Sequence, residues 1–464
     1  MLTIVPNKSV GNFQLGSSIT QITKILQREK EFNNTNFIFS QSQPNRLPIV
    51  IELENRGIRL TFDPFGQKLI LIQILMNKTK QRYQFKGKVL PEDLYFKEVY
   101  NRIFGPTYPG TIYNPSSENN SEGHDGEESQ KQCQLGPQYT LSYEGICFQF
   151  NLSPELSQKL TSSDDNEVAI QNVDEPLLCQ GINIFQGKTW AEYLEGTAFM
   201  LRQKLTEELL TQEIAKLSSG FSIIYALIGP GEVEFKLSQH PRGLSSFKIV
   251  LTKTEMSAVV ETFGPPDDSV LKEDKDQWKK IHNYFRYGFD VFYDVGKPLA
   301  PVQKIVIHNN VVTSYEFLKY EKLTWFMYNQ VNQQLICDCH TEKHNLPFRY
   351  DSANDGDQIY HDHTHSDHNH QAKLGGYQNN HASLNQIKKK DHIILNRKEY
   401  GLDFSDQNSS RFELVDYDDQ LECQMNSNME PTGNDWGLSK LFGYNRYVFE
   451  ILVDSGVMSS ITLF

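Results

Sequence analysis

The stretch NYFRYGFDVFYD, residues 283–294, and the stretch VQKIVI, residues 302–307, decide the fold class. Apolar and polar side chains alternate in both, a pattern typical of β-strands with one buried face. Because a turn separates the two stretches, they predict an antiparallel hairpin. Gly288 lies in the middle of the first stretch, where we expect a bulge or the close approach of another backbone segment.

A short helix is predicted just before this hairpin. Apolar side chains recur at helical spacing from Met256 to Phe263. Thr252 and Glu255 have the spacing of a capping box at the start of the helix, and Gly264 is expected to end it.

The same succession of helix and hairpin recurs along the chain, at 19–75, 99–150 and 442–463. Because one helix and one hairpin bury too little apolar surface to be stable alone, we expect the copies to pack into one or two larger sheets. The predicted fold class is therefore α+β, built from repeated helix-plus-antiparallel-hairpin units that are interrupted by disordered polar insertions.

Five parts are predicted from this pattern. A helix of good helix formers at 189–217 is expected to link the two halves of the chain. The predicted parts are a first helix-hairpin unit at 1–90, a second unit with an acidic insertion at 91–188, the linking helix and a third unit at 189–330, a Cys/His-rich disordered insertion at 331–395, and a C-terminal unit at 396–464.

Composition excludes some functions. A formal net charge of -13 over 464 residues disfavours nucleic-acid binding, which needs a concentrated Lys/Arg surface. The first residues show neither a secretory signal nor a membrane span, and six scattered cysteines do not resemble a disulfide framework. We therefore expect a cytoplasmic protein.

Only one kind of chemical site is suggested by the residues. Nucleophile and nucleotide-binding motifs are missing, so neither catalytic residues nor cofactors are predicted. A metal site is the exception, because imidazoles and carboxylates alternate in a short tract. Its candidate ligands are His361, His363, His365, His368 and His370. A second cluster is Cys337-Asp338-Cys339-His340 with His344. Since a flexible tract does not pre-order its ligands, compositional drift is the favoured interpretation of the histidines.

Several blocks, in this order, resemble the phagosome assembly factor family. They are Gly57 to Asp63, Phe104-Gly105-Pro106-Thr107-Tyr108-Pro109-Gly110, the strand Tyr284 to Asp294, and Phe442-Gly443 with Arg446 and Phe449-Glu450. The resemblance implies a non-catalytic adaptor that binds a β-propeller scaffold of the breast-carcinoma-amplified-sequence type. It also implies recruitment with that partner to phagophore membranes, where phosphoinositides provide the docking signal.

Two other functions remain open from the sequence. One is a metal-binding protein or metal-dependent enzyme that uses the region from Cys337 to His370, and the other is a vesicle-trafficking tether. The sequence does not locate the partner surface. The loop Thr107 to Tyr113 and the turn Asp63 to Gln67 are its first candidates.

Overall fold

The architecture is taken from a computed structural model. The residues that it describes are 1–30, 35–40, 44–107, 110–113, 136–161, 176–202, 206–208, 210–211, 220–274, 277–329, 332–346, 392–395, 413–416, 439–444, 446–453 and 455–464.

The first half of the chain, residues 1–202, begins with a small sheet and ends with a helix. Its elements are β1 (Leu2–Val5), β2 (Ser9–Val10), β3 (Phe13–Gln14), α1 (Ile19–Arg28), β4 (Thr35–Phe39), β5 (Ile49–Leu53), β6 (Ile58–Phe62), β7 (Leu69–Leu75), β8 (Tyr83–Phe85), β9 (Lys88–Val89), α2 (Phe96–Glu98) with a π-helical turn at Val99–Ile103, β10 (Thr111–Tyr113), β11 (Gln138–Tyr143), β12 (Ile146–Asn151), α3 (Pro154–Thr161), β13 (Cys179–Phe185) and α4 (Trp190–Arg202).

The second half, residues 220–464, repeats this succession of a small sheet, a helix and a long meander. Its elements are β14 (Ser222–Gly229), β15 (Glu232–Ser238), β16 (Ser246–Val250), α5 (Met256–Phe263), β17 (Asp268–Asp274), β18 (Gln277–Tyr284), β19 (Phe289–Asp294), β20 (Val302–His308), β21 (Trp325–Tyr328), β22 (Leu335–Asp338), β23 (His392–Leu395), β24 (Glu413–Asp416), β25 (Ser439–Tyr444), β26 (Tyr447–Leu452) and β27 (Met458–Leu463).

Each half contains a small sheet of five strands, and the two small sheets have one topology. Their orders are β3-β2-β1-β8-β9 and β16-β15-β14-β21-β22. In both, three strands form an antiparallel meander, and a later strand then adds parallel to the first strand of that meander. The parallel pairs are β1 with β8 and β14 with β21.

The two large sheets also correspond. Their orders are β10-β11-β12-β13-β7-β6-β5-β4-β24 and β17-β18-β19-β20-β27-β26-β25-β23. In each, a four-stranded meander joins a later meander through one antiparallel pair, β7 with β13 and β20 with β27. The described residues thus form four sheets rather than the one or two that were predicted, because the strands that precede each helix, β1 to β3 and β14 to β16, form sheets of their own instead of joining the helix-plus-hairpin units. The fold is mostly β-sheet with few helices, in keeping with the α+β class.

A helix and a small sheet cover one face of each large sheet. Ile22 and Leu26 of α1 belong to a buried cluster with side chains of β1, β5 and β7. Val259 and Phe263 of α5 belong to the equivalent cluster of the second half. Complete burial of one such aliphatic or aromatic side chain stabilises the fold by about 1.5–3 kcal/mol. These two clusters are the main cores of the molecule.

Glycines divide the predicted strands. Gly288 has φ +82° and ends the 3-10 turn Phe285–Tyr287. The first two residues of the stretch 283–294 therefore belong to β18, and Phe289–Asp294 form β19. Gly57, with φ +60°, separates β5 from β6 in the same way. A Cβ at Gly57 would lie 2.7 Å from the Thr79 backbone nitrogen. The expected close approach of another backbone segment to these glycines is therefore confirmed. The prediction of one uninterrupted strand across Gly288 is wrong.

Two helix predictions need correction. The capping box at α5 is absent, because the N-cap is Glu255 without a side-chain hydrogen bond and Thr252 has φ +64°. A capping box is formed instead at α1, by Ser18 and Gln21. The linking helix 189–217 is also interrupted: α4 packs on the first half through Trp190, Thr206 is not helical, and Leu210 packs on the second half. The five predicted parts stay a prediction.

The connection between β20 and β21 holds the halves together. We call its residues 309–322 the crossing segment. Gln67 and Asn310 form reciprocal hydrogen bonds of 2.8 and 2.7 Å, and both side chains are buried. Lys322 donates to the Pro64 carbonyl at 2.9 Å. Val312 completes the core of the first half, so the crossing segment belongs to both halves.

Gly288→Ala tests the close approach to the crossing segment. An alanine Cβ would lie 2.3 Å from the Glu321 carbonyl oxygen, in addition to the strain of a left-handed backbone. We expect the substitution to lower the free energy of unfolding by about 2–5 kcal/mol. Gly243→Ala is the matched control: its φ is +71° but no atom lies within 4 Å, so about 1–2 kcal/mol is expected. Equal losses in urea unfolding would contradict the account.

Candidate functional site

A buried charged cluster fixes the crossing segment to the large sheet of the second half. Asp290 on β19 and His308 at the end of β20 are 6% and 5% exposed. The His308 ring lies between two carboxylates, with Nε2 3.0 Å from Asp290 Oδ2 and Nδ1 2.5 Å from Glu316 Oε2. Tyr320 donates to Asp290 at 2.8 Å and stacks on the His308 ring at 3.7 Å between centroids. Asp290 and His308 of the sheet thereby bind Glu316 and Tyr320 of the crossing segment.

The electrostatics of this cluster keep the imidazole charged. Burial by itself lowers the pKa of His308, but Glu316 and Asp290 outweigh it and raise the pKa from 6.5 to about 9. Burial, followed by the charges of Asp290 and Glu316, raises the pKa of Tyr320. A doubly hydrogen-bonded imidazolium is a poor general base, so the cluster is suited to holding structure rather than to transferring protons.

A shallow depression, with room for little more than a water molecule, borders the cluster. Among the residues that line it, His308 and Glu316 are paired with each other. The carboxylate of Glu450 accepts hydrogen bonds from Ser439 at 2.7 Å and Ser460 at 2.8 Å. Each of these charged groups is therefore already engaged, and the hydroxyls of Ser314 and Ser459, which also line the depression, donate to backbone carbonyls.

Of the candidate metal ligands, the structure describes the side chains of Cys337, Asp338, Cys339 and His340. Cys337 and Cys339 are buried in the core of the second half, and burial raises the pKa of the Cys339 thiol to about 12. The His340 ring packs edge-on against Phe65, and neither of its nitrogens has a hydrogen-bond partner among the described residues. Within those residues no group of three His, Cys, Asp or Glu side chains could hold an ion. The tract His361, His363, His365, His368 and His370 lies outside the described residues.

A second surface lies on the same face of this large sheet as the charged cluster, which is the face opposite the core, and it has a different character. Val270, Ile281, Phe292 and Lys304 lie directly opposite one another on four neighbouring strands, so they form one row on one face. Lys304 Nζ lies 3.8 Å from the centre of the Phe292 ring and 5.7 Å from that of Phe464. We call these five residues the open-face patch. The alternation that buries Val291 and Ile305 in the core places the patch on the opposite face.

The exposure and charge of the open-face patch suit it for docking. Val270 and Phe464 are 45% and 52% exposed, and the three residues between them are partly exposed. Burial, followed by repulsion from Lys279, lowers the pKa of Lys304. In the described part of the chain no carboxylate lies within ion-pair distance of Lys304 Nζ. Asp290 attracts the ammonium group from beyond ion-pair distance. An aromatic surface with a partly buried ammonium group that has no ion-pair partner is typical of a protein-binding site.

Comparison with known proteins identifies the family to which the chain belongs. Residues 9–464 match the family model of phagosome assembly factor 1 (PHAF1). The chain belongs to the PHAF1 family. It is 23% identical over 365 residues to the PHAF1 protein CG7083 of Drosophila melanogaster, covering 73% of this chain and 76% of that protein. It is also 23% identical over 336 residues to the PHAF1 protein At3g51130 of Arabidopsis thaliana, covering 68% and 72%. No solved structure matches.

Membership in the PHAF1 family confirms the resemblance predicted from the sequence blocks. One of those blocks, from Tyr284 to Asp294, supplies Asp290 to the charged cluster and Phe292 to the open-face patch. In the described part of the chain no helix is long and apolar enough to cross a bilayer.

The open-face patch could not be located from the sequence. In the sequence, Lys304 is one of the polar residues of an alternating strand, and nothing distinguishes it from the others. Its contact with Phe464 joins residues that are 160 positions apart. The turn from Asp63 to Gln67, a first candidate for the partner surface, is buried at the junction instead: Asp63 is 7% exposed and Gln67 is 3% exposed. The second candidate, the loop from Thr107 to Tyr113, is described only in part.

His308→Ala tests the charged cluster. The substitution leaves the buried carboxylate of Asp290 and the partly buried carboxylate of Glu316 without their counter-ion, which we expect to lower the free energy of unfolding by about 3–5 kcal/mol. The folded pKa of His308, about 9, is above its ordinary value of 6.5, so the folded state binds the proton more tightly. The stabilisation by the charged imidazole is thus complete below pH 6.5, and it is lost as the pH rises through about 9.

Urea unfolding at a series of pH values measures this effect. His308→Gln is the matched control, because it retains a hydrogen-bond donor but does not titrate. The stability of the wild type should fall more steeply between these two pH values than that of His308→Gln. Parallel curves would show that the buried imidazole is not charged in the folded state.

Proposed function

We propose that this chain is a non-catalytic adaptor of the PHAF1 family, cytoplasmic, and that it binds a β-propeller scaffold protein. Membership of the family across nearly the whole chain supports a role in phagosome assembly and autophagy. The observation that carries the binding role is the open-face patch, in which half-exposed apolar and aromatic side chains surround one lysine that has no ion-pair partner among the described residues. Interfaces concentrate their binding energy in a few aromatic and cationic anchors of this kind.

The two halves are best understood as copies of one unit. Their small sheets share a strand order, and their large sheets are assembled through equivalent antiparallel pairs. The predicted repeat is thus proposed at the level of a half chain, with a small sheet, a helix and two joined meanders in each copy. A rigid body of two joined copies provides a broad scaffold surface, which suits an adaptor.

Recruitment to membranes would follow from the partner. We propose that the chain reaches the phagophore together with the β-propeller scaffold, and that the phosphoinositide signal is read by the complex. The basic residues of the patch are few and are accompanied by acidic neighbours such as Asp294, which lies opposite Lys279 on the adjacent strand. Direct and stable attachment to an anionic membrane needs a larger basic surface than this.

Co-precipitation with the β-propeller scaffold tests the adaptor role. We expect the folded wild-type chain to retain the partner, and Lys304→Glu to weaken binding at least about tenfold because the charge and its aromatic contact are central to the patch. Lys88→Glu is the matched control, since Lys88 is an exposed strand lysine of the first half. Failure of the folded wild type to bind the scaffold would refute the adaptor role. Equal binding by both variants would refute the assignment of the surface.

A further inference from the structure

The first half contains a covered version of the open-face patch. Leu71, Cys147 and Phe185 lie on the outer face of the large sheet of the first half, and they form a separate buried cluster with Trp190 and Tyr193 of α4. The ring centres of Trp190 and Tyr193 lie 5.3 and 5.2 Å from that of Phe185. The Trp190 amide donates to Ser142 on β11 at 2.8 Å, which fixes the start of the helix on the sheet.

The register of the strands relates the two surfaces position by position. Thr61 and Phe292 are each the fourth residue after the left-handed glycine, and they pair with Leu71 and Lys304 respectively. Leu71 therefore corresponds to Lys304.

The next strand gives the second equivalence. Leu71 pairs with Phe185, the last residue of β13. In the second half Ile305 pairs with Leu463, which puts the following residue, Phe464, beside Lys304. Phe185 therefore corresponds to Phe464. The first of these phenylalanines is fully buried under α4, whereas the second is 52% exposed.

We propose that the open-face patch binds a helix of a protein partner, and that this helix carries two aromatic side chains one turn apart together with acidic residues. The aromatic pair is inferred from Trp190 and Tyr193, which cover the corresponding face in the first half. The partner helix packs on Phe464 and Phe292 as α4 packs on Phe185. This proposal rests on the adaptor function and specifies the chemistry of the partner element.

The acidic character of the partner helix follows from the charges of the patch. Where the first half has Leu71, the second half has Lys304. Burial and repulsion from neighbouring lysines lower the pKa of Lys304. Lys279 lies between Lys272 and Asp294 on the neighbouring strands, whereas Lys304 has no carboxylate within ion-pair distance among the described residues. A carboxylate on the partner helix would compensate Lys304 as the complex excludes water.

A peptide made from the chain's own helix serves as the probe. Residues 189–200, TWAEYLEGTAFM, contain the aromatic pair and two glutamates. The acetylated, amidated and fluorescently labelled peptide is titrated with the full-length chain, and binding is followed by anisotropy. The matched control peptide has both Trp190 and Tyr193 replaced by alanine.

Saturable binding is expected for the native peptide, and at least about tenfold weaker binding is expected for the alanine peptide. Lys304→Glu and Phe464→Ala in the protein should each weaken binding about tenfold, whereas Lys88→Glu should leave it unchanged. Binding should also weaken with added salt, since an exposed ion pair is screened. Circular dichroism and urea unfolding establish that each variant is folded.

Three results would overturn the proposal. The first is the lack of saturable binding, or equal binding by all protein variants. The second is a concentration-dependent dimer of the wild type that Lys304→Glu abolishes, which would make a second copy the occupant. The third is binding to vesicles of equal parts phosphatidylcholine and phosphatidylserine that is lost in Lys304→Glu. Each can occur while the β-propeller scaffold still co-precipitates, so failure here is separable from failure of the adaptor role.

Discussion

The crossing segment passes between two sheet assemblies, where its charged and amide side chains need partners, and this requirement organises the molecule. Its main solution is the imidazolium of His308, held between Asp290 and Glu316. An isolated charge at such depth would cost several kcal/mol, so all three groups must be placed together. The reciprocal pair of Gln67 and Asn310 meets the same requirement on the other side of the segment. Together these contacts join the halves through polar groups rather than through a continuous apolar core.

Fixing the junction also determines which surface is left for a partner. Asp290 and Phe292 are two positions apart on β19, so their side chains lie on the same face of the large sheet. The crossing segment covers one end of that face and leaves the open-face patch at the other end. In the first half, α4 covers the corresponding position. The two large sheets, which are assembled through equivalent strand pairs, therefore differ in what covers them.

Alternation in the sequence predicted the strands around 289–294 and 302–307, and helical spacing predicted α5, because both signals lie within one element. The division of the strands at Gly57 and Gly288 was harder to predict, since a glycine within an alternating stretch is compatible with either a bulge or a turn. The interrupted helix after Trp190 depends on packing against two different sheets, which no local propensity reports. The patch depends on strand pairing that brings Phe464 beside Lys304. Neither segment contains a local signal that predicts pairing between residues 160 positions apart. The order of the sequence blocks, by contrast, was enough to predict the family.

Hydroxyl-radical footprinting of the complex with the β-propeller scaffold tests the central claim most directly. The account predicts that oxidation of Phe464 and Phe292 falls when the partner binds, while Leu299, which is 68% exposed and lies in a turn away from the patch row, is oxidised at the same rate as in the free chain. Unchanged oxidation of both phenylalanines, with protection elsewhere on the chain, would contradict it.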